Sequence, residues 1–373
     1  MTTRVLVEAL GVVVAVDVTE AEVATRFRAA WVASLAEDGA EPDVVIDDSD
    51  LPGREADALL ELLTQRVTIE AIGVRAGELL MFHACALANP DTGAAVVMVG
   101  PSGMGKSTLS MTHGTRWAYV TDETAAIEDD GTLLPYPKPL SMVGSGTVKE
   151  QVAPEAAGLT VACAPLRVAA VLLLERDPGV TAVQVTEVPP AQGIALVAEH
   201  TSYLAKMDRP LAQIAALLRS TDGLRRVSYA EARDLAPLLE ELLTQPLAEP
   251  SLVEPVETSP GSTSSLGEAE PTAEDQRDDG DRLISAIRRT VLDEHTEDGE
   301  AVVLLPDGHV LALSPLASTV LAALADGPQT VPSIAAILAA EFGAPPDGDT
   351  EAATLAALTS LAQADLIRLD PPG

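Results

Sequence analysis

Apolar and polar positions along this chain follow two periods, and the switches between them outline its elements. Residues 5–18 run or alternate as a strand does, and 20–36 repeat every three to four positions as a helix does. Residues 44–46 read as a short strand. From 54 to about 77 a long helical pattern puts Leu60, Leu63, Val67, Ile69 and Ile72 near one face. Residues 79–84 and 94–99 are apolar enough for buried strands. The intervening Asn89-Pro-Asp-Thr-Gly93 carries hairpin residues, so the two strands are expected to be antiparallel neighbours. A short helix opens at Thr108, a strand follows at 117–121, and another buried strand lies at 167–174. Helical patterns at 191–200 and 210–218, a short strand at 227–229 and a helix at 230–243 complete this part.

The pattern then breaks. Between 245 and 282 the chain is rich in Pro and Ser and ends in the acidic run Asp278-Asp279-Gly280-Asp281, a composition that cannot bury enough surface to offset ordering. A disordered linker is expected there. Beyond it, 302–305 and 310–313 flank Asp307-Gly308 as a hairpin. Helical patterns at 315–324, 331–341 and 350–364 follow, and then a strand at 366–369. The expected fold class is α/β with a mixed sheet over 1–244, then the linker 245–282, then a small α+β, winged-helix-like domain over 283–373.

Charge narrows the partners. With 57 Asp and Glu against 23 Lys and Arg, the net charge of −34 argues against nucleic acid and against an anionic membrane surface. Residues 5–18 contain Glu8 and Asp17 and follow no basic segment, so they read as strand rather than as a signal peptide. No apolar run reaches the roughly 18 residues of a spanning helix. Cys85 and Cys163 suggest neither a disulfide framework nor a zinc site, which fits a reducing cytoplasm.

The chemistry concentrates between 83 and 139. Gly100-Pro-Ser-Gly-Met-Gly-Lys-Ser107 follows a strand and opens a helix, which is the context a P-loop needs. Glycines let backbone N–H groups turn toward phosphate oxygens, and the helix N-terminus adds partial positive charge. Gly100, Ser102, Gly103, Met104, Gly105, Lys106, Ser107 and Thr108 are therefore the candidate nucleotide contacts. Lys106 would reach the β- and γ-phosphates, and the Ser107 hydroxyl would ligate Mg²⁺. Asp122 and Glu123 end the strand after the loop's helix and are expected on the same rim of the sheet. There one carboxylate would hold Mg²⁺ and the other accept the proton of an attacking hydroxyl, or Asp122 alone would hold the metal while Glu123 caps the turn. His83, at the end of the strand before the loop strand, is a further catalytic candidate. Lys138, in Pro135-Tyr-Pro-Lys-Pro139, is a candidate for touching phosphate or substrate. His113, His200, His295 and His309 show no partner spacing and are expected at the surface, as is the basic pair Arg225-Arg226.

Taken together, His83, the loop Gly100–Ser107, the strand Tyr119-Val-Thr-Asp122-Glu123 and the Pro135–Pro139 segment resemble the catalytic domain of the HPr kinase/phosphorylase family. The resemblance is specific over about 79–142 and looser to 245. It implies ATP and Mg²⁺ as cofactors, proton acceptance by Glu123 from a serine hydroxyl, and a homo-oligomer. Pro101 stands where the family usually has Asp, and Glu123 where it has the second of two Asp residues. The motifs of the family's phosphorylase half are not found, so phosphorolysis is not expected.

Residues 283–370 resemble the PqqD-like family, on Val303-Leu-Leu-Pro-Asp-Gly-His-Val-Leu-Ala-Leu313, Ala325-Asp-Gly327, Val331-Pro-Ser-Ile-Ala335 and Ala364-Asp-Leu-Ile367. Leu313-Ser314 replaces the usual Leu-Asn. This resemblance implies a leader peptide held as an added strand on a sheet edge beside a helix groove. A DNA-binding winged helix is disfavoured by the acidity. The combination predicts an ATP-dependent kinase of a Ser or Thr in a ribosomally made precursor peptide, similar to the lasso-peptide kinases, which are also HPr-kinase-like. Two alternatives stay open. One is a non-catalytic ATP-binding accessory protein that presents a peptide to another enzyme. The other is a small-metabolite kinase with a regulatory C-terminal region, in which case removing everything after 245 leaves turnover unchanged.

Overall fold

The structure, a computed structural model of the chain, describes residues 2–51, 55–143, 149–163, 165–245, 285–345 and 348–370. The linker expected at 245–282 lies, but for Gln245, outside them. Packing divides the chain into Met1–Ala248 with Val291–Leu313, and Glu249–Thr290 with Ser314–Gly373.

The first unit begins with strands β1 (Thr3–Ala9) and β2 (Val12–Val18), antiparallel, and β3 (Val44–Asp47), parallel to β2. The single strand expected at 5–18 is thus a hairpin. It reverses at Leu10 and Gly11, whose φ angles of 54° and 73° fall in the left-handed region that glycine tolerates. Helices α1 (Ala21–Ala30) and α2 (Ala56–Val74) cover this sheet around Val7, Val16, Phe27, Trp31, Leu63 and Val67. Ile69 departs from expectation and is 58% exposed. It stands about 200° around the helix from Val67, opposite the buried row Leu60, Leu63, Val67 and Ala71.

The main sheet gathers β4 (Leu80–Ala88), β5 (Ala94–Val99), β6 (Ala118–Thr121), β7 (Thr124–Ile127) and β8 (Leu133–Leu134) with β11 (Arg167–Arg176), β12 (Gln184–Glu187) and β13 (Leu224–Tyr229). Strands β9 (Leu140–Val143) and β10 (Lys149–Val152) pair separately. The order is β12-β13-β11-β5-β4-β7-β8, with β6 also paired to β4. It is a mixed sheet: β11 is parallel to β5 and β13, while β4 is antiparallel to β5, β6 and β7. Because β5 and β6 both oppose β4, they run in the same direction. Their ends, at 99 and 121, therefore fall on one rim, as expected.

Helix α3 (Lys106–His113) and α6 (Ala236–Thr244) cover the face of Cys85, Leu87, Val96 and Met98. Helices α4 (Pro190–Ala198) and α5 (Pro210–Ser220) cover the face of Ala84, Ala86, Val97 and Val99. Coverage on both faces explains why β4 and β5 read as continuous apolar runs rather than alternating ones.

After β14 (Ser285–Arg288), which packs with the second unit, come β15 (Asp293–Glu297), β16 (Glu300–Leu304) and β17 (Val310–Ala312). These three form an antiparallel sheet built into the first unit. Val302, Leu304 and Val310 join the core of α4 and α5. An Asp293 carboxylate oxygen accepts a hydrogen bond from the Leu211 N–H at 2.9 Å, capping the first turn of α5. The boundary at 283, read from the sequence, therefore does not coincide with the division by packing. The apolar side of the late hairpin is buried against helices some ninety positions earlier in the chain. Asp293→Ala is expected to destabilise the first unit by about 1 kcal/mol, the usual worth of such a cap. Thermal unfolding of the full chain, compared with Asp293→Asn as the conservative control, measures it.

The second unit pairs β18 (Gln329–Thr330), β14 and β19 (Ile367–Asp370), and carries α7 (Pro315–Ala323), α8 (Val331–Phe342) and α9 (Thr350–Gln363). Ser314, Thr330 and Asp349 cap these helices by accepting from the N–H of Ala317, Ser333 and Ala352 at 3.3, 3.4 and 3.0 Å. Among the described residues, no helix is long and apolar enough to cross a membrane.

Candidate functional site

Strand β5 delivers the chain to the sheet rim at Gly100, where it turns through an open loop into α3. Gly103 and Gly105 have φ of 89° and 88°. A side chain at either would be strained whatever the space around it. Among the described residues, the backbone N–H groups of Ser102, Gly103, Met104 and Gly105 have no acceptor within hydrogen-bonding distance. The first turn of α3 adds its own unpaired N–H groups. Ser102, Ser107 and Thr108 are exposed. The result is a crescent of donors open to solvent, suited to oxyanions.

Two contacts hold the crescent. The Lys106 ammonium folds back to donate to the carbonyls of Gly100, at 2.6 Å, and Pro101, at 3.0 Å. Burial lowers the Lys106 pKa, although Cys85, Asp122 and Glu123 act in the opposite direction. On the other side the Tyr229 hydroxyl, from the end of β13, donates to the Met104 carbonyl. Nothing in the sequence pointed to Tyr229, because its contact spans 125 positions.

The acidic pair sits where expected, across from the loop. The Ser107 hydroxyl donates to Asp122 Oδ2 at 2.6 Å, and the Tyr119 hydroxyl to Asp122 Oδ1 at 3.0 Å. Lys138 is 3% exposed and lies between the carboxylates, 3.2 Å from Asp122 Oδ1 and 3.0 Å from Glu123 Oε2. Its ammonium also donates to the Pro139 carbonyl at 3.1 Å. An ammonium has three protons, and all three are engaged. In this arrangement Lys138 positions the two carboxylates and offers no free donor to phosphate or substrate. Burial alone would raise the Asp122 pKa, but the Lys138 charge and the hydrogen bonds from Ser107 and Tyr119 bring it below the usual carboxylate range. The Lys138 pKa is raised: burial opposes its charge, and Asp122 and Glu123 outweigh that.

His83 is inside β4 rather than at its end, pairing with Thr124 of β7. It shares a sheet face with Cys85, the face that α3 covers, which brings it to the loop side. Burial lowers its pKa, Lys106 lowers it further, and Glu123 raises it. His200, expected to be a surface residue, is half-buried and accepts the His83 N–H on its carbonyl at 2.8 Å. His113, also expected at the surface, is buried, with Nε2 2.8 Å from the Ala232 carbonyl. His295 is half-buried and pairs with Glu297 at 2.7 Å, whereas His309 is exposed. Arg225 and Arg226 lie in β13, half-buried and outside this cluster.

Among the described residues, no three His, Cys, Asp or Glu side chains converge to hold a metal. The donors present are Asp122 Oδ2 and the Ser107 hydroxyl. They suit Mg²⁺, which commonly takes one or two carboxylates and fills its other positions with water and phosphate oxygens. A cleft of about 340 Å³ opens beside Asn89, Gly93 and Cys163, at the opposite end of β5 from Gly100, and takes no part in this site.

Comparison with known proteins bears on the other end of the chain. Residues 292–367 match the family model of Coenzyme PQQ synthesis protein D (PqqD). None of the curated proteins compared with the chain matches it. The PqqD-like region begins one residue before β15 and ends on the first residue of β19. Its sheet β15–β17 therefore lies in the first unit, and its helices α7, α8 and α9 in the second.

Proposed function

We propose that this chain is an ATP-dependent kinase that phosphorylates a Ser or Thr hydroxyl of a ribosomally made precursor peptide held by its PqqD-like region. The observation that carries the reading is the 2.6 Å contact between Ser107 and Asp122 at the mouth of the open loop. It sets a hydroxyl and a carboxylate together beside a crescent of N–H donors, the arrangement a P-loop uses for Mg²⁺ and phosphates. On this reading the loop N–H groups and Lys106 hold the phosphates, and Ser107 and Asp122 hold Mg²⁺. The bound metal would draw charge from the phosphoryl oxygens during transfer. Glu123 has one oxygen tied to Lys138 and uses the other to accept the proton of the attacking hydroxyl. The PqqD-like region supports a peptide as acceptor.

One observation favours a second reading, an ATP-binding accessory protein without turnover. The tie from Lys138 to Glu123 competes with the proton such a base must accept. Glu123→Gln separates the two. In a kinase it reduces peptide phosphorylation by about 10²–10⁴-fold, the usual contribution of a positioned base, while nucleotide affinity holds. If wild type and variant bind ATP equally and neither modifies a precursor peptide that the chain binds, the accessory reading replaces the kinase.

A further inference from the structure

A third residue stands with His83 at the loop side of the sheet. Strand β5 pairs with β4 only as far as Ala84 opposite Val99. There β5 leaves the sheet as the Gly100 loop, and its place beside β4 is taken by residues 200–202. The His83 N–H donates to the His200 carbonyl at 2.8 Å, and the Ser202 N–H to the Met81 carbonyl at 2.9 Å, with Phe82 bridged to Thr201. The segment that follows α4 therefore continues the row of β5 at the point where the loop departs. It brings the Ser202 hydroxyl to 3.4 Å from His83 Nε2.

The backbone is constrained there. Tyr203 is left-handed, with φ of 54°, and 45% exposed. The Lys206 ammonium lies 4.5 Å from its ring centroid, holding the turn. A non-glycine residue in that conformation costs of order 1 kcal/mol or more and persists where surrounding structure imposes it. Ser202 is half-buried. The groups whose charge reaches the His83 ring are Lys106 and Glu123, and His200 lies close enough to be coupled to it.

A serine hydroxyl in reach of a neutral imidazole is an activated nucleophile, and such pairs are often looser before substrate is bound. We propose that Ser202 is an internal phosphoryl acceptor, modified by this site's own nucleoside triphosphate. This rests on the kinase reading above. The Ser202 oxygen attacks the terminal phosphorus, forming an O–P bond. The bond from that phosphorus to the bridging oxygen breaks, and nucleoside diphosphate leaves. The hydroxyl proton passes to His83 Nε2. The product is a stable phosphate monoester at the loop's edge.

The full chain, incubated with Mg·ATP and no peptide, should gain one phosphoryl group by intact mass, located at Ser202 by fragmentation. Ser202→Ala should abolish the gain, and Ser202→Thr should move it to phosphothreonine. His83→Gln should slow it about a hundredfold, and the wild-type rate should fall in acid as the imidazole, whose pKa burial holds below the ordinary histidine value, takes up its proton. ATP affinity, measured by calorimetry on each variant, separates the possible failures. ATP binding with phosphorylation of added peptide, but an unmodified protein or phosphate elsewhere, overturns the role of Ser202 and leaves the kinase intact. No ATP binding overturns both.

Discussion

Lys138→Met should destabilise the first unit by about 3–5 kcal/mol, the cost of stripping a buried charge of its partner. Lys138 and Asp122 are 3% and 4% exposed in their side chains, so water cannot replace the lost ion pair. The change should also reverse how stability depends on pH. In the wild type the Asp122 pKa is depressed, so its contribution is present above the unfolded value near 4 and is lost as pH falls through the folded one. Without Lys138, burial, the largest influence on Asp122, is opposed only by the hydrogen bonds from Ser107 and Tyr119, and the folded pKa of Asp122 is expected to rise above the unfolded value. The Asp122 contribution to stability is then present in acid and is lost as pH rises through the folded pKa. Urea unfolding of both proteins at about pH 3 and at about pH 7.5 reads the reversal. A variant as stable as wild type at pH 7.5 would show that the Asp122–Lys138 pair contributes nothing net.

A chain ended at residue 245 should fail to fold, whereas one ended at 313 should keep the first unit. Val302, Leu304 and Val310 are buried against α4 and α5, at about 1.5–3 kcal/mol for each side chain removed. Asp293 adds its cap on α5. Several kcal/mol is a large share of the roughly 5–15 kcal/mol that holds a domain together. Circular dichroism and gel filtration of the two truncations make the comparison. Truncation at 245 therefore cannot serve as the test of a small-metabolite kinase that the sequence suggested. Loss of activity there would report unfolding. Truncation at 313 is the fair version.

Legibility in the sequence followed the range of the interaction. The helix starts at Pro315, Val331 and Thr350 stand where the pattern put them, because each is set by a capping side chain next to an apolar period. The antiparallel pairing across Asn89–Gly93 was readable for the same local reason. Asp122 and Glu123 were placeable on the loop rim because strand direction is determined by the short elements between. Packing between distant segments left no such trace. Both faces of the late hairpin read as apolar, and nothing local says that α4 and α5 take one of them. Lys138 looked like a ligand contact because a lone lysine among prolines carries no sign of its partners. Only the fold shows its three protons engaged. Tyr229 and Ser202 enter the site through side chains whose partners lie 125 and 119 positions away.

The proposed reaction moves a phosphoryl group from ATP to a peptide hydroxyl. Mass spectrometry of a ribosomally made precursor peptide that the full chain binds, after incubation with the chain, Mg²⁺ and ATP, reads the transfer out. One added phosphoryl group on a Ser or Thr is expected, and none when Asp122→Asn replaces the wild type. An unmodified peptide in the presence of protein that demonstrably binds both ATP and the peptide would contradict it.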